Sequence, residues 1–290
     1  FRPWDDAVTL VMEYAEVKYD KLWDEEVMQG KLSEYDWLHL HHEDFTGQPG
    51  KIRWRESAAM ELRMNEATAA KLGYPTISQM KMNIARKIKA FAAGGGYLFA
   101  MCSAAETLDI ALAAEGFDFN SLIIDSDTET YSQDILDYDK ALAFENFILE
   151  PSYERRFSDI NIGRSGWGVS GDYFNLFTFS AKWDIVPTLL TQNHANLIKE
   201  FSGLTTSFNR QLVKPGAVIL AENRKENNVR YLYGELGKGH FTYYSGHDPE
   251  SNASRGRGPT DLNLHPNSAG YRLILNNVLF PSAQKKKQKT

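Results

Sequence analysis

The chain has 290 residues, a formal net charge of −6 and a single cysteine. The acidic balance argues against nucleic acid as a partner, and one cysteine excludes an intrachain disulfide and any cysteine-rich zinc site. No apolar run reaches the ~18 residues needed to cross a bilayer, while a 42% hydrophobic content supplies the core of one large α/β domain or two small ones.

The first residue is Phe1 rather than methionine, which is read as a processed or omitted beginning. Removal of an export signal would make this a periplasmic protein, and without one a cytoplasmic protein is expected. Asp5–Ala15 carries apolar residues at helical spacing, with Asp5 or Asp6 as cap. Val17–Trp23 alternates like a strand, and Asp24–Lys31 reads as a short polar helix or loop. Asp36–His42 is predicted to be a second strand, running into a histidine-rich loop. After an irregular stretch, Ser78–Ala93 places Met80, Ile84, Ala85, Ile88 and Phe91 on one helical face, and Gly94–Gly96 ends that helix.

Residues 94–106 read GGGYLFAMCSAAE. A short apolar strand, Tyr97–Met101, is followed at once by Cys102 and by small residues that open a helix, Ala104–Ala114. A thiol at a strand-to-helix turn is pushed out of the end of a sheet, where the helix N-terminus favours a thiolate and offers backbone N–H groups to an oxyanion. Glu106 follows one turn later and can enter the same site or serve as a helix-start acid.

Residues 116–215 are rich in aromatics and turn formers, with a strand-like Ala143–Leu149 and a helix predicted near His194–Phe201. The acidic run Asp125–Asp139 fails as a calcium loop, because Thr130 occupies the glycine position and Leu136 the glutamate position. Strands return from Ala217 as AVILAE, VRYLYGE and GHFTYYSGH, and a last helix is predicted over Ala269–Leu279. The terminal Lys285–Thr290 reads as a solvated basic tail. Strands alternating with helices predict a doubly wound, mainly parallel sheet, in which function gathers at the C-terminal strand ends.

The segment GKGHFTYYSGHDPE (Gly237–Glu250) delivers a second candidate. His247 emerges at a strand end with Asp248 and Glu250 beside it, the layout of a base oriented by an acid. A third feature is the cluster His39, His41, His42, Glu43 and Asp44, which could serve a metal-dependent enzyme, with or without His247. No spaced metal motif is present, and no motif calls for a cofactor.

The two segments around Cys102 and His247 resemble the class I glutamine amidotransferase-like superfamily. That resemblance implies a flavodoxin-like sheet, here with a large central insertion over 116–215, in one domain spanning 1–290. It implies Cys102 as nucleophile, His247 as general base, and Glu250 or Asp248 as the orienting acid. The loop His41–Gly47 falls where those proteins place the oxyanion loop, so Glu43, Asp44 and Gly47 would join Ser103 in that role, with His41 and His42 lining the pocket. The substrate would be a small-molecule amide. YDWLHLHHEDFTGQ and DLNLHPNSAGYRLILNNVLFP also resemble bacterial proteins labelled asparagine synthetase B. The sequence carries neither the Ser-Gly-Gly-rich pyrophosphate loop nor a P-loop, which argues against ATP-dependent asparagine synthesis. A non-catalytic member binding a sugar, peptide or protein through its aromatic residues is the alternative reading.

Overall fold

The computed structural model describes residues 6–48, 51, 55–117, 133–150, 156–163, 168–169, 173–180, 183–191, 195–199, 201–250 and 261–282. The basic tail and most of the acidic run Asp125–Asp139 lie outside the described residues.

Among the described residues the main sheet has eight strands. In chain order its first members are β1 (Trp37–Leu40) and β2 (Tyr97–Met101). Next come β4 (Tyr173–Leu176), β5 (Leu197–Lys199) and β7 (Phe208–Asn209). The last are β8 (Val218–Asn223), β9 (Asn228–Leu236) and β10 (Gly239–Tyr244). The spatial order is β1-β2-β10-β9-β8-β4-β5, with β7 paired to β9. β2 pairs in parallel with both β1 and β10, whereas every other ladder described is antiparallel. The sheet is therefore mixed, which corrects the expectation of a mainly parallel one. The cause lies in the connections. β8, β9 and β10 follow one another through turns too short for a crossover helix, so adjacent strands must reverse. A small second sheet joins β3 (Gly168–Val169), β6 (Phe201–Gly203) and β11 (Asp248–Pro249).

Helices cover both faces of the parallel part. α4 (Ile77–Gly94) is capped by Thr76, whose hydroxyl accepts the Gln79 N–H, and ends at Gly95 with φ 127°, a conformation open to glycine. α5 (Ser103–Ala113) packs beside α4, and its Asp109 accepts the hydroxyl of Tyr243 on β10 at 2.9 Å. On the opposite face Asn277 of the C-terminal helix α7 (Ala269–Leu279) donates to the Thr242 hydroxyl of β10 at 2.9 Å and also to Tyr231 of β9. The N-terminal helix α1 (Ala7–Tyr14) and the short α6 (Ile185–Leu190) pack on α7, and α2 (Asp24–Met28) packs on α4. With helices on both sides, Leu98–Met101 is buried throughout, as expected of a strand covered on two faces.

Four local expectations are corrected. Val17–Trp23 forms no ladder, although Val17, Tyr19 and Leu22 pack on the core from an extended segment. The stretch before α4 contains a helix of 17 residues, α3 (Arg55–Lys71), whose apolar residues form no single stripe and leave Met60 and Met64 exposed. Ala143–Leu149 makes only single bridges, at Phe144 and Leu149. There Asp109 takes the N–H groups of Leu142, Ala143 and Phe144 at 2.8–2.9 Å, so these donors are unavailable to a neighbouring strand. The helix predicted near His194–Phe201 is instead β5 and β6, with Ile198 buried between exposed Leu197 and Lys199 in strand alternation.

Asp109 thus joins α5, β10 and the chain at 142–144 through four hydrogen bonds. Asp109→Ala leaves three buried N–H groups and a phenol without their partner, and should cost about 2–4 kcal/mol in urea denaturation. A loss under about 0.5 kcal/mol would show that the junction contributes little.

Candidate active site

Three neighbouring parallel strands end on the same edge, and each delivers a polar group just beyond its last residue. β1 leads into His41 and His42, β2 into Cys102, and β10 into His247. Cys102 lies between β2 and α5 at φ 55°, ψ −133°, a positive φ that is costly for a residue with a Cβ. Its backbone N–H donates to the Tyr244 carbonyl at 2.9 Å, tying this turn to the end of β10. Its sulfur accepts the N–H groups of Leu204 at 3.1 Å and Thr205 at 3.4 Å, and the Ser103 N–H also points to it.

Gly203 brings the cysteine and the histidine together. A Cβ built there would stand 3.0 Å from the Cys102 sulfur, 3.1 Å from His247 Cδ2 and 2.9 Å from the Gly246 Cα. No hydrogen bond joins Cys102 to His247. His247 Nδ1 is 2.8 Å from Asp248 Oδ2, and the other Asp248 oxygen accepts the Ala7 N–H at 3.3 Å. Burial lowers the His247 pKa, but the charge and hydrogen bond of Asp248, helped by Asp6, more than offset it and the net shift is upward. Glu250 instead stands 3.9 Å from His265. The adjacent Asp248, not Glu250, is therefore the acid on the His247 ring.

The loop after β1 is braced internally by Asp44. The Asp44 carboxylate accepts the Thr46 N–H and hydroxyl at 2.8 and 2.6 Å, and also the Gln48 N–H. The Thr46 and Gln48 amides are thus already occupied. The Glu43 carbonyl accepts the Thr107 hydroxyl at 2.9 Å, and Gly47, at φ 81°, packs on the start of α4. Besides the Ser103 N–H, the amides aimed at the sulfur come from Leu204 and Thr205, which sequence reasoning missed. Nothing in their residue types marks them. Only the pairing of β6 with β3 and β11 carries them to the site.

Glu106 sits beneath this segment, fully buried, accepting the Thr205 hydroxyl and the Ser158 hydroxyl at 2.8 Å each. Burial raises its pKa to about 7 against the opposing hydrogen bonds. His41 and His42 pack against His247, with ring centroids 4.5 and 5.7 Å away. Burial, the neighbouring His42 and then His247 hold His41 well below the ordinary imidazole value, with Asp6 opposing. Asp6, the N-cap of α1, lies 3.4 Å from His41 Nδ1 and 3.7 Å from His39 Nε2.

No family model matches the chain, and no curated protein matches it. Among solved structures it is similar to cytoplasmic protein STM3548 from Salmonella typhimurium, at 12% identity and a TM-score of 0.43, over 94% of this chain and 84% of that one. It is also similar to cytoplasmic protein STM1381 from Salmonella typhimurium LT2, at 10% identity and a TM-score of 0.45, over 94% and 86%. Likeness at this level carries no argument about function. No helix among the described residues is long and apolar enough to cross a membrane.

The cysteine is wholly buried, and burial pushes its thiol up to about 11 in spite of the three amides. This reverses the expectation of a helix-lowered pKa. Iodoacetamide should therefore label Cys102 more slowly at pH 7 than a free thiol, whose pKa is about 8.5; faster labelling would refute the enclosed arrangement.

Glu106 makes a second prediction. Its folded pKa lies above its unfolded value, so the folded state binds the extra proton and stability falls as pH rises from about 4.5 to about 7. Glu106→Gln mimics the protonated acid. Its advantage over the native protein should grow from near zero at about pH 4.5 to about 3 kcal/mol at about pH 8, by urea denaturation. A pH-independent difference would contradict this.

Proposed function

We propose that the protein is a cysteine-dependent amide hydrolase or amidotransferase, a divergent relative of the class I glutamine amidotransferases with a flavodoxin-like core. Cys102 is the nucleophile, His247 the general base, and Asp248 the acid that fixes the His247 tautomer. The observation that carries this reading is the positive-φ turn of Cys102 between β2 and α5, closing on Gly203 together with an Asp248-bonded His247.

In this reaction Asp248 keeps the proton on Nδ1, which directs the Nε2 lone pair of His247 toward the thiol proton. The thiolate attacks the amide carbon, the imidazolium returns its proton to the leaving amine, and water then releases the acyl group from sulfur. The Ser103, Leu204 and Thr205 N–H groups are the donors nearest the charge that develops. The resting thiol is enclosed, so the segment around Gly203–Thr205 must lift for a substrate to enter. Glu106, through the Thr205 hydroxyl, positions that segment.

The test is amide hydrolysis, with glutamine included in a panel of small amides. Cys102→Ser and His247→Ala should each abolish turnover, and the double variant should be little worse than either. Asp248→Asn should lower kcat by about 10²–10⁴, as the loss of a tautomer-fixing acid does, whereas Glu250→Gln should stay within about threefold of the native rate, equivalent to ~0.7 kcal/mol. Activity that survives Cys102→Ser, or that depends on Glu250 rather than Asp248, would overturn the assignment.

A further inference from the structure

The hydrolytic pair needs one imidazole, yet three are packed together at this strand edge. His41 and His42 have ring centroids 4.3 Å apart, and both lie against His247. One ring nitrogen from each of the three falls within 4.8 Å of the others. We propose that His41, His42 and His247 bind a divalent transition-metal ion of the zinc type.

The surroundings of the rings are those of a metal site. Metal-binding histidines usually have a carboxylate or carbonyl on the second ring nitrogen, which fixes the tautomer and the ring orientation. Here Asp248 stands 2.8 Å from His247 Nδ1 as such a partner, and Asp6 stands 3.4 Å from His41 Nδ1 as a nearby charge without a hydrogen bond to it. His247 is left with Nε2 as its available ligand atom, and His41 Nδ1 is buried without a hydrogen-bond partner. Zn–N bonds of about 2.0–2.1 Å set tetrahedral ligands about 3.3 Å apart, which small rotations of rings already this close would reach. The two carboxylates also offset the charge of the ion. A second grouping, Asp6, His39 and His41, shares one ring. There Asp6 already accepts the Thr9 N–H at 2.7 Å as the N-cap of α1, so it has a structural duty.

The consequence rests on the proposed cysteine chemistry. The Nε2 lone pair of His247 cannot hold an ion and take the Cys102 proton together, so occupancy of the site switches the hydrolase off. The ion is an inhibitor, and a chelator activates.

Titration of the metal-free full chain with Co²⁺, followed by visible absorption, tests the site without any need for turnover. One ion per chain with a tetrahedral spectrum, displaced by Zn²⁺, is expected. His41→Gln and His42→Gln, each shown to be folded by circular dichroism, should weaken binding at least tenfold. Cys102→Ser should abolish hydrolysis and leave the Co²⁺ spectrum intact. Absence of saturable binding, or binding unchanged in both glutamine variants, overturns the site. Hydrolysis that requires the ion would support the site and overturn the cysteine reading, so the two proposals fail separately.

Discussion

A hydrogen bond from the Cys102 N–H to the Tyr244 carbonyl, 2.9 Å long, holds the turn after β2 against the end of β10. The arrangement around the thiol depends on it. It continues the parallel ladder one residue past the strands and sets where the chain must turn, so that Cys102 takes a positive φ as α5 begins. The same strand end carries Ser245 and Gly246 into His247, while the Gly246 N–H donates to the Thr205 carbonyl at 2.7 Å. In the closed state cysteine, histidine and the amides of residues 204–205 are thereby held to one another through backbone bonds. Side-chain packing alone would permit far more drift than the proposed reactive pair tolerates.

Enclosure of the thiol has a physical logic in this setting. A buried sulfur in contact with amide donors stays protonated, because the lost hydration of a thiolate outweighs three N–H contacts. Bringing a polar substrate into the site would both admit solvent-like groups and place His247 in reach of the thiol proton. In the proposed reaction activation would then accompany binding, and the closed state would resist oxidation and adventitious alkylation. Gly203 is central to this closure, since a Cβ at that position would press on cysteine, histidine and Gly246 together.

Much of this architecture was legible in the sequence. The alternating or continuous apolar runs gave β1, β2 and β8–β10, and α4, α5 and α7 followed from helical spacing with glycine or serine at their ends. These segments bury one consistent face, and their patterns are strong. α3 escaped because it buries little, so no apolar stripe announces it. β5 and β6 are too short for alternation to compete with a helical reading, and their strand character comes from partners distant in sequence. Of the site, Cys102 and His247 were visible as polar residues at strand ends. The choice of Asp248 over Glu250 was not, because it depends on the turn that places Glu250 at φ 56° and toward His265. Nor were Leu204 and Thr205, which act through main-chain amides that any residue but proline could supply.

The proposed reaction makes Cys102 and His247 one reactive unit despite the buried resting thiol. Intact-mass spectrometry after incubation with a glutamine-derived diazoketone tests it directly, because such a reagent must first occupy the site and then accept the sulfur. One covalent adduct per chain, located on Cys102, is expected from the native protein and none from folded His247→Ala. Equal labelling of the two proteins, or labelling that appears only after denaturation, would contradict it.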